Sequence, residues 1–161
     1  MLDKKTIISR LHLEPHPEGG FFKRTITTGN DGTGNRFITT CIHFLLEHNN
    51  PSSLHKVDVD EYWIYNYGTS DIFLKGFSAD GQRDAFTLQM GHRSMQWQHL
   101  IHKNTWFGAR TVNDSDDAYA LVSCICTPGF DFSGFVLGDR DRLIASYPMH
   151  IQLINEMCPE K

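Results

Sequence analysis

The stretch Leu54-His55-Lys56-Val57-Asp58-Val59-Asp60-Glu61-Tyr62-Trp63-Ile64-Tyr65-Asn66-Tyr67-Gly68 decides how the rest of the chain is read. It reads as two strands joined by a tight hairpin turn at 58–60, with His55 near the end of the first and Glu61 opening the second. Side chains alternate along a strand, so Glu61, Trp63, Tyr65 and Tyr67 share one face while Tyr62, Ile64 and Asn66 take the other. Across such a hairpin His55 and Glu61 project to the same interior face. An imidazole, an acid and aromatic walls converging inside a barrel suit a ligand pocket better than a plain core. A His–Glu pair also makes a satisfied buried hydrogen bond, and the stretch taken alone leaves the two readings even.

Outward from it, strand-like runs recur at 21–27, 38–46, 54–57, 61–67, 72–77, 85–88, 98–101, 106–112, 118–127 and 132–137, separated by segments rich in Gly, Pro, Asn and Asp. This is the spacing of an all-β sandwich or barrel. Asp3 caps a short helix over 4–11, and the tail from Tyr147 onward has a helical apolar stripe of Ile151, Leu153, Ile154 and Met157. The expectation is one domain over 1–161: an N-terminal helix and extended arm to about residue 20, a barrel to about 137, then a C-terminal segment. The runs 38–46 and 118–127 are apolar on both faces, so each face needs cover. A homodimer packing sheet against sheet supplies it, as would the terminal helices or the N-terminal segment.

Composition narrows the function classes. With 161 residues, 40% of them hydrophobic, the chain is long enough for a real core. Fifteen Lys and Arg against nineteen Asp and Glu give a net charge of −4, which leaves no basic surplus for neutralising nucleic-acid phosphates. No apolar run follows Met1-Leu2-Asp3-Lys4-Lys5 and none approaches bilayer length, so neither a secretory signal nor membrane insertion is expected. Four cysteines scattered through the chain form no disulfide framework, and a cytoplasmic location follows. Cys124 and Cys126 share one face of an apolar strand and read as small buried hydrophobes.

The quoted stretch resembles the first cupin motif, G-x5-H-x-H-x3–4-E-x6-G, with His55, Glu61 and Gly68 at its first His, its Glu and its last Gly. Val57 replaces the second His, and the leading Gly is missing. The second cupin motif, P-x-G-x2-H-x3-N, falls on the segment from His102 to Thr111, with Phe107 at the position of the metal-binding His. More closely, the chain is similar to a group of small single-domain cupins of largely uncharacterised function, marked by PHPEGG, H-[RK]-x3-DE-x-W and PGFDF. The matching residues are Pro15-His16-Pro17-Glu18-Gly19-Gly20, then His55-Lys56 with Asp60-Glu61 and Trp63, then Pro128-Gly129-Phe130-Asp131-Phe132. The resemblance implies a double-stranded β-helix (a jelly roll) and commonly a homodimer. Relatives of this architecture include metal-independent sugar-nucleotide epimerases that use a His base and a Tyr acid.

Only His55 and Glu61 survive of the cupin ligand positions, and Val57 and Phe107 coordinate nothing. His43, His99 and His102 stand outside those positions. A catalytic zinc or iron site needs at least three protein ligands, so neither a tightly bound metal nor any other cofactor is expected. What remains is acid–base chemistry on a small molecule: His55 as general base, Glu61 orienting it, Tyr65 (or Tyr67) as general acid. Trp63, Tyr67, Trp106 and Phe107 are candidate ligand walls, and Arg110 or Lys56 a candidate partner for a carboxylate or phosphate. His16, between two prolines, reads as structural, holding the N-terminal segment over the barrel. The functional expectation is an isomerase, epimerase or lyase acting on a sugar-like or other small polar substrate. The alternatives are a binding protein without turnover and, more weakly, a metal-dependent enzyme with a rebuilt ligand set.

Overall fold

Alternation of apolar and polar residues sorts the strands into two antiparallel sheets that face each other across a shared interior. The computed structural model describes residues 2–30, 32, 36–80 and 85–158. Its strands are β1 (Glu14–Pro15), β2 (Phe21–Thr28), β3 (Thr39–Glu47), β4 (Ser52–Val57), β5 (Asp60–Gly68), β6 (Ile72–Ser78), β7 (Phe86–Met90), β8 (Gln98–Ile101), β9 (Thr105–Thr111), β10 (Tyr119–Thr127) and β11 (Phe135–Leu137). One sheet runs β1-β2-β3-β10-β5-β8 and the other β11-β4-β9-β6-β7. From β3 to β6 and from β7 to β11 successive strands cross between the sheets, which makes the jelly roll that the motifs imply. Phe44, Trp63, Tyr65, Leu74, Phe107 and Val122 fill the interior.

Three local expectations change. The segment 58–59 is not a hairpin turn: β4 pairs with β9 and β11, whereas β5 pairs with β10 and β8. It is a corner at which the chain changes sheet, and a short polar turn between alternating runs looks the same in either case. The run 132–137 begins as a 3-10 turn over Phe132–Gly134, because the Asp131 side chain accepts from Ser133 N, and only Phe135–Leu137 is strand. Helix α2 (Arg140–Ser146) starts ahead of the expected helical tail. The Asp139 side chain caps it, and the Tyr147-Pro148 step separates it from α3 (Ile151–Met157).

Of the terminal helices, only the N-terminal one covers part of what the two-faced strands β3 and β10 expose. Helix α1 (Lys4–Arg10) lies with Ile7 against Leu45 and Tyr119 on the outer face of the six-stranded sheet. α2 and α3 cover Leu54, Phe77 and Trp106 on the outer face of the five-stranded sheet. Farther along the six-stranded sheet, Tyr62 stays 42% exposed beside the half-buried Ile64, Leu100 and Ile125. Among the described residues, no helix is long and apolar enough to cross a membrane.

Candidate functional site

The site begins with a strap. Gly19 and Gly20 adopt φ of +110° and +68°, where residues with a Cβ are strained, and a Cβ on Gly19 would stand 2.0 Å from the Pro51 carbonyl oxygen. The strap therefore lies flat on the entry to β4, and Ser53 N donates to Glu18 O at 2.8 Å. That backbone contact turns the Glu18 side chain inward, where Ser52 Oγ donates to its Oε1 at 2.8 Å. Next to it the His16 ring packs edge-on against Phe22, ring centres 4.6 Å apart.

His55, on β4, is 2% exposed. Its Nδ1 lies 2.9 Å from Ser53 O. A carbonyl only accepts, so Nδ1 carries the hydrogen and, in the neutral ring, Nε2 presents a lone pair. That Nε2 is 3.4 Å from Glu18 Oε2. The same Oε2 is 3.4 Å from Nδ1 of His16, which itself faces the donating amide of Glu18. One carboxyl oxygen thus faces two imidazole nitrogens that both act as acceptors. Burial raises the Glu18 pKa to about 8, with the Ser52 hydrogen bond opposing it. Burial, with the charge of His55 adding to it, lowers His16 to about 4. It lowers His55 as well, against the attraction of Glu61 and the bond to Ser53. Near pH 7 the cluster is neutral, with a proton on Glu18 and none on His55 Nε2.

Glu61 enters from the opposite sheet, where its neighbours in register are Cys126 on β10 and Ile101 on β8. Burial raises it to about 7; His55 pulls it down and Glu18 pushes it up. His55 and Glu61 line one cavity of about 30 Å³ together with His16, Glu18, Phe44 and Cys124, and Arg24 and Phe130 also border it. The expected His55–Glu61 pairing takes a different form. Among the described residues, the carboxylate within ion-pair distance of His55 is that of Glu18, and Glu61 acts on His55 only as a nearby charge.

The other expected site residues lie mostly elsewhere. Phe107 packs on His55, ring centres 4.3 Å apart, and Trp63 packs edge-on against Phe44 and Phe107. The Trp63 indole N–H favours the Glu61 anion electrostatically but meets no partner of normal hydrogen-bond geometry. The Tyr65 hydroxyl donates to Ser70 O at 2.9 Å, and the ring packs near His92 and Trp97, away from the cavity. Burial also raises its pKa far above the ordinary tyrosine range, so as a general acid it is both misplaced and weak. Tyr67 lies beyond a bulge in β5, on the outer face, and accepts from Leu2 N. Trp106 packs under the C-terminal helices with Lys56 Nζ 5.0 Å from its ring centre. Arg110 is paired with Glu156 and Asp114.

No group of three or more His, Cys, Asp or Glu among the described residues is arranged to hold an ion. Val57 borders the cavity and Phe107 is core, at two positions where cupins place ligands. His43 faces outward beside Ser123, and His99 and His102 line a separate cleft with Phe86 and Lys103. Of the acidic, basic and imidazole residues bordering the cavity, Glu18 and Arg24 escaped the sequence reading, and His16 was there read as structural. Glu18 stands inside PHPEGG, a motif whose glycines draw attention to the backbone, and the only signal was an acid beside His16. Arg24 looks like any polar residue on an edge strand.

Comparison with known proteins bears on the fold and the family. No curated protein matches the chain. A solved hypothetical protein from Leishmania major is 30% identical with a TM-score of 0.88, covering 99% of this chain and 100% of its own. A solved protein from Shewanella oneidensis is 27% identical with the same TM-score, covering 100% of both chains. Oxalate decarboxylase from Bacillus subtilis is 15% identical with a TM-score of 0.55 over 94% of this chain and 38% of its own, a likeness of fold alone. The family model described as Cupin superfamily (DUF985) matches residues 5–138, and the chain belongs to that family of the cupin superfamily.

Proposed function

We propose that the cavity receives a small polar molecule and that His55 acts on it as a general base without a metal ion, in an isomerase, epimerase or lyase reaction. The supporting observation is the single carboxyl oxygen of Glu18 held 3.4 Å from His55 Nε2 and 3.4 Å from His16 Nδ1. At neutral pH this places an unprotonated base beside a protonated acid, the combination that proton abstraction and return require. In the forward step Nε2 takes a proton from carbon and a Glu18 or Glu61 carboxyl donates one to the substrate. This leaves an imidazolium and a carboxylate, and transfer of the proton from Nε2 back to the carboxylate restores the site. A buried carboxyl, of Glu18 or Glu61, takes the acid role that the sequence reading assigned to a tyrosine. A cavity of about 30 Å³ favours a substrate of a few heavy atoms over a sugar ring, since pockets for drug-sized ligands measure about 300–1,000 Å³.

The test is a metabolite screen by thermal shift, since a ligand that binds only the folded state raises the melting temperature. Turnover of each hit is then compared between wild type and His55→Gln. Loss of conversion with binding retained supports the base; full turnover by His55→Gln removes it. Binding by the wild type with no conversion of any hit favours a carrier or sensor.

A further inference from the structure

Resting on the reading that this cavity binds a small molecule, we infer that its ligand is a short-chain carboxylate whose anionic group is held by Arg24. Among the residues bordering the cavity, Arg24 is the exposed one; His55, Glu18, Glu61, Val57 and Phe44 are buried. The guanidinium therefore marks the solvent side of the cavity and the acid–base cluster its inner end. Among the described residues no carboxylate lies within ion-pair distance of Arg24. Its Nη2 donates to Phe130 O at 3.4 Å, a long bond that leaves most of its five N–H donors for something else. The Asp131 carboxylate accepts from Ser133 N at 2.8 Å, and the charges of Arg36 and Arg24 both favour it without an ion-pair contact to Arg24. Burial and Glu61 push the Cys126 thiol pKa up, and the charge of Arg24 opposes them, so its field reaches the cavity wall.

The rest of the lining is mostly apolar, with Phe22, Ile42, Phe44, Val57 and Phe130 beside Thr40 and two cysteines. An anion at the inner end would face Glu61, whereas at Arg24 it meets a positive fork matched to two carboxylate oxygens. A short carbon chain then lies along the apolar wall and brings the carbon next to the carboxylate toward His55. A diffuse polyol would find neither an ion partner nor enough polar lining. The volume limits the chain to a few carbons beyond the carboxylate.

The test titrates the full chain, at fixed ionic strength, with acetate, propanoate, butanoate and the neutral isostere propanamide. Imidazole resonances of His55, assigned with His55→Gln, report binding. Saturable shifts are expected with the carboxylates, at least ten-fold weaker binding of propanamide, and at least ten-fold weaker propanoate binding in Arg24→Met. Arg24→Gln is a second variant that keeps a hydrogen-bond donor but no charge, and it is expected to lose binding as Arg24→Met does. Propanamide binding as tightly as propanoate, or propanoate binding unchanged in both Arg24 variants, overturns the inference. If glycerol moves the His55 resonances and the carboxylates do not, the carboxylate assignment falls while the pocket stands. If no probe moves them, both fall.

Discussion

Nε2 of His55 and Oε2 of Glu18 lie 3.4 Å apart, bringing a strand of the five-stranded sheet together with the strap ahead of β2. Neither residue needs the other for its backbone position: His55 is placed by β4, and Glu18 by two glycines and the Ser53 amide. Their meeting produces a buried, neutral acid–base pair, and its ionisation has consequences that can be measured.

The first is for stability against pH. Glu18 and Glu61 have folded pKa values of about 8 and about 7 against 4.5 as model groups, so the folded state holds protons that the unfolded state releases. Their contribution is fully present below pH 4.5 and is lost as pH rises through those folded values. His16 works in the opposite sense: with a folded pKa of about 4 against 6.5, its contribution is full above 6.5 and is lost as pH falls toward 4. The terms oppose each other between pH 4.5 and 6.5, and from 6.5 to about 8 only the carboxyl loss remains. Urea unfolding should therefore show stability falling over that upper window, with a slope of at most about 1.4 kcal/mol per pH unit per proton. Glu18→Gln, neutral at every pH, should flatten the fall and lower the Glu61 pKa. An unchanged slope in that variant contradicts the buried-acid assignment.

Phe107 is fully buried and packs on the His55 ring. Phe107→Ala should cost about 3–5 kcal/mol, the range for emptying an aromatic site in a core. The void forms beside His55, so water entering it should relieve the burial that lowers the imidazole pKa. NMR titration is expected to show the His55 midpoint rising toward the ordinary histidine value, and a midpoint that stays put argues against burial as its cause.

For metal binding, the donor geometry predicts a negative result with a clear readout. Titration of the wild-type protein with Co(II) should develop none of the strong visible bands of a tetrahedral protein site, and protein purified without added metal should hold no stoichiometric transition ion. Either signal would mean that side chains rearrange into a ligand set absent from the described residues.

The uncovered part of the six-stranded sheet bears on assembly. Tyr62, Ile64, Leu100 and Ile125 border one shallow groove on its outer face, and α1 packs only on the part around Leu45 and Tyr119. Sheet-on-sheet packing of two copies would bury this surface. Light scattering is expected to give a dimer for the wild type and a monomer for Tyr62→Glu combined with Ile125→Glu. A wild-type monomer at micromolar concentration would rule out this face as a stable interface.

Much of the architecture was legible in the chain because alternation is local: Trp63 and Tyr65 face inward and Tyr62 and Ile64 outward, as the period of two requires. Where a polar turn could be a hairpin or a corner between sheets, as at 58–59, local pattern carried no distinguishing signal, since the choice depends on which distant strands offer partners. The sequence also grouped Tyr67 with Tyr65, because the bulge that turns Tyr67 outward lies opposite the Leu121/Val122 step of β10 and is a property of the pairing.

Residue types and their order determined the strands, the placing of His55 and Glu61 on interior faces, and the loss of cupin metal donors at Val57 and Phe107. Only the folded chain decided that Glu18 is the acid touching His55, that Tyr65 is turned away, and that Arg24 stands at the cavity's solvent side. The physical reason is the range of the forces involved. Strand alternation is set by neighbouring residues, whereas contact between a strap and a strand depends on the backbone freedom of Gly19 and Gly20 and on the packing of two sheets far apart in the chain.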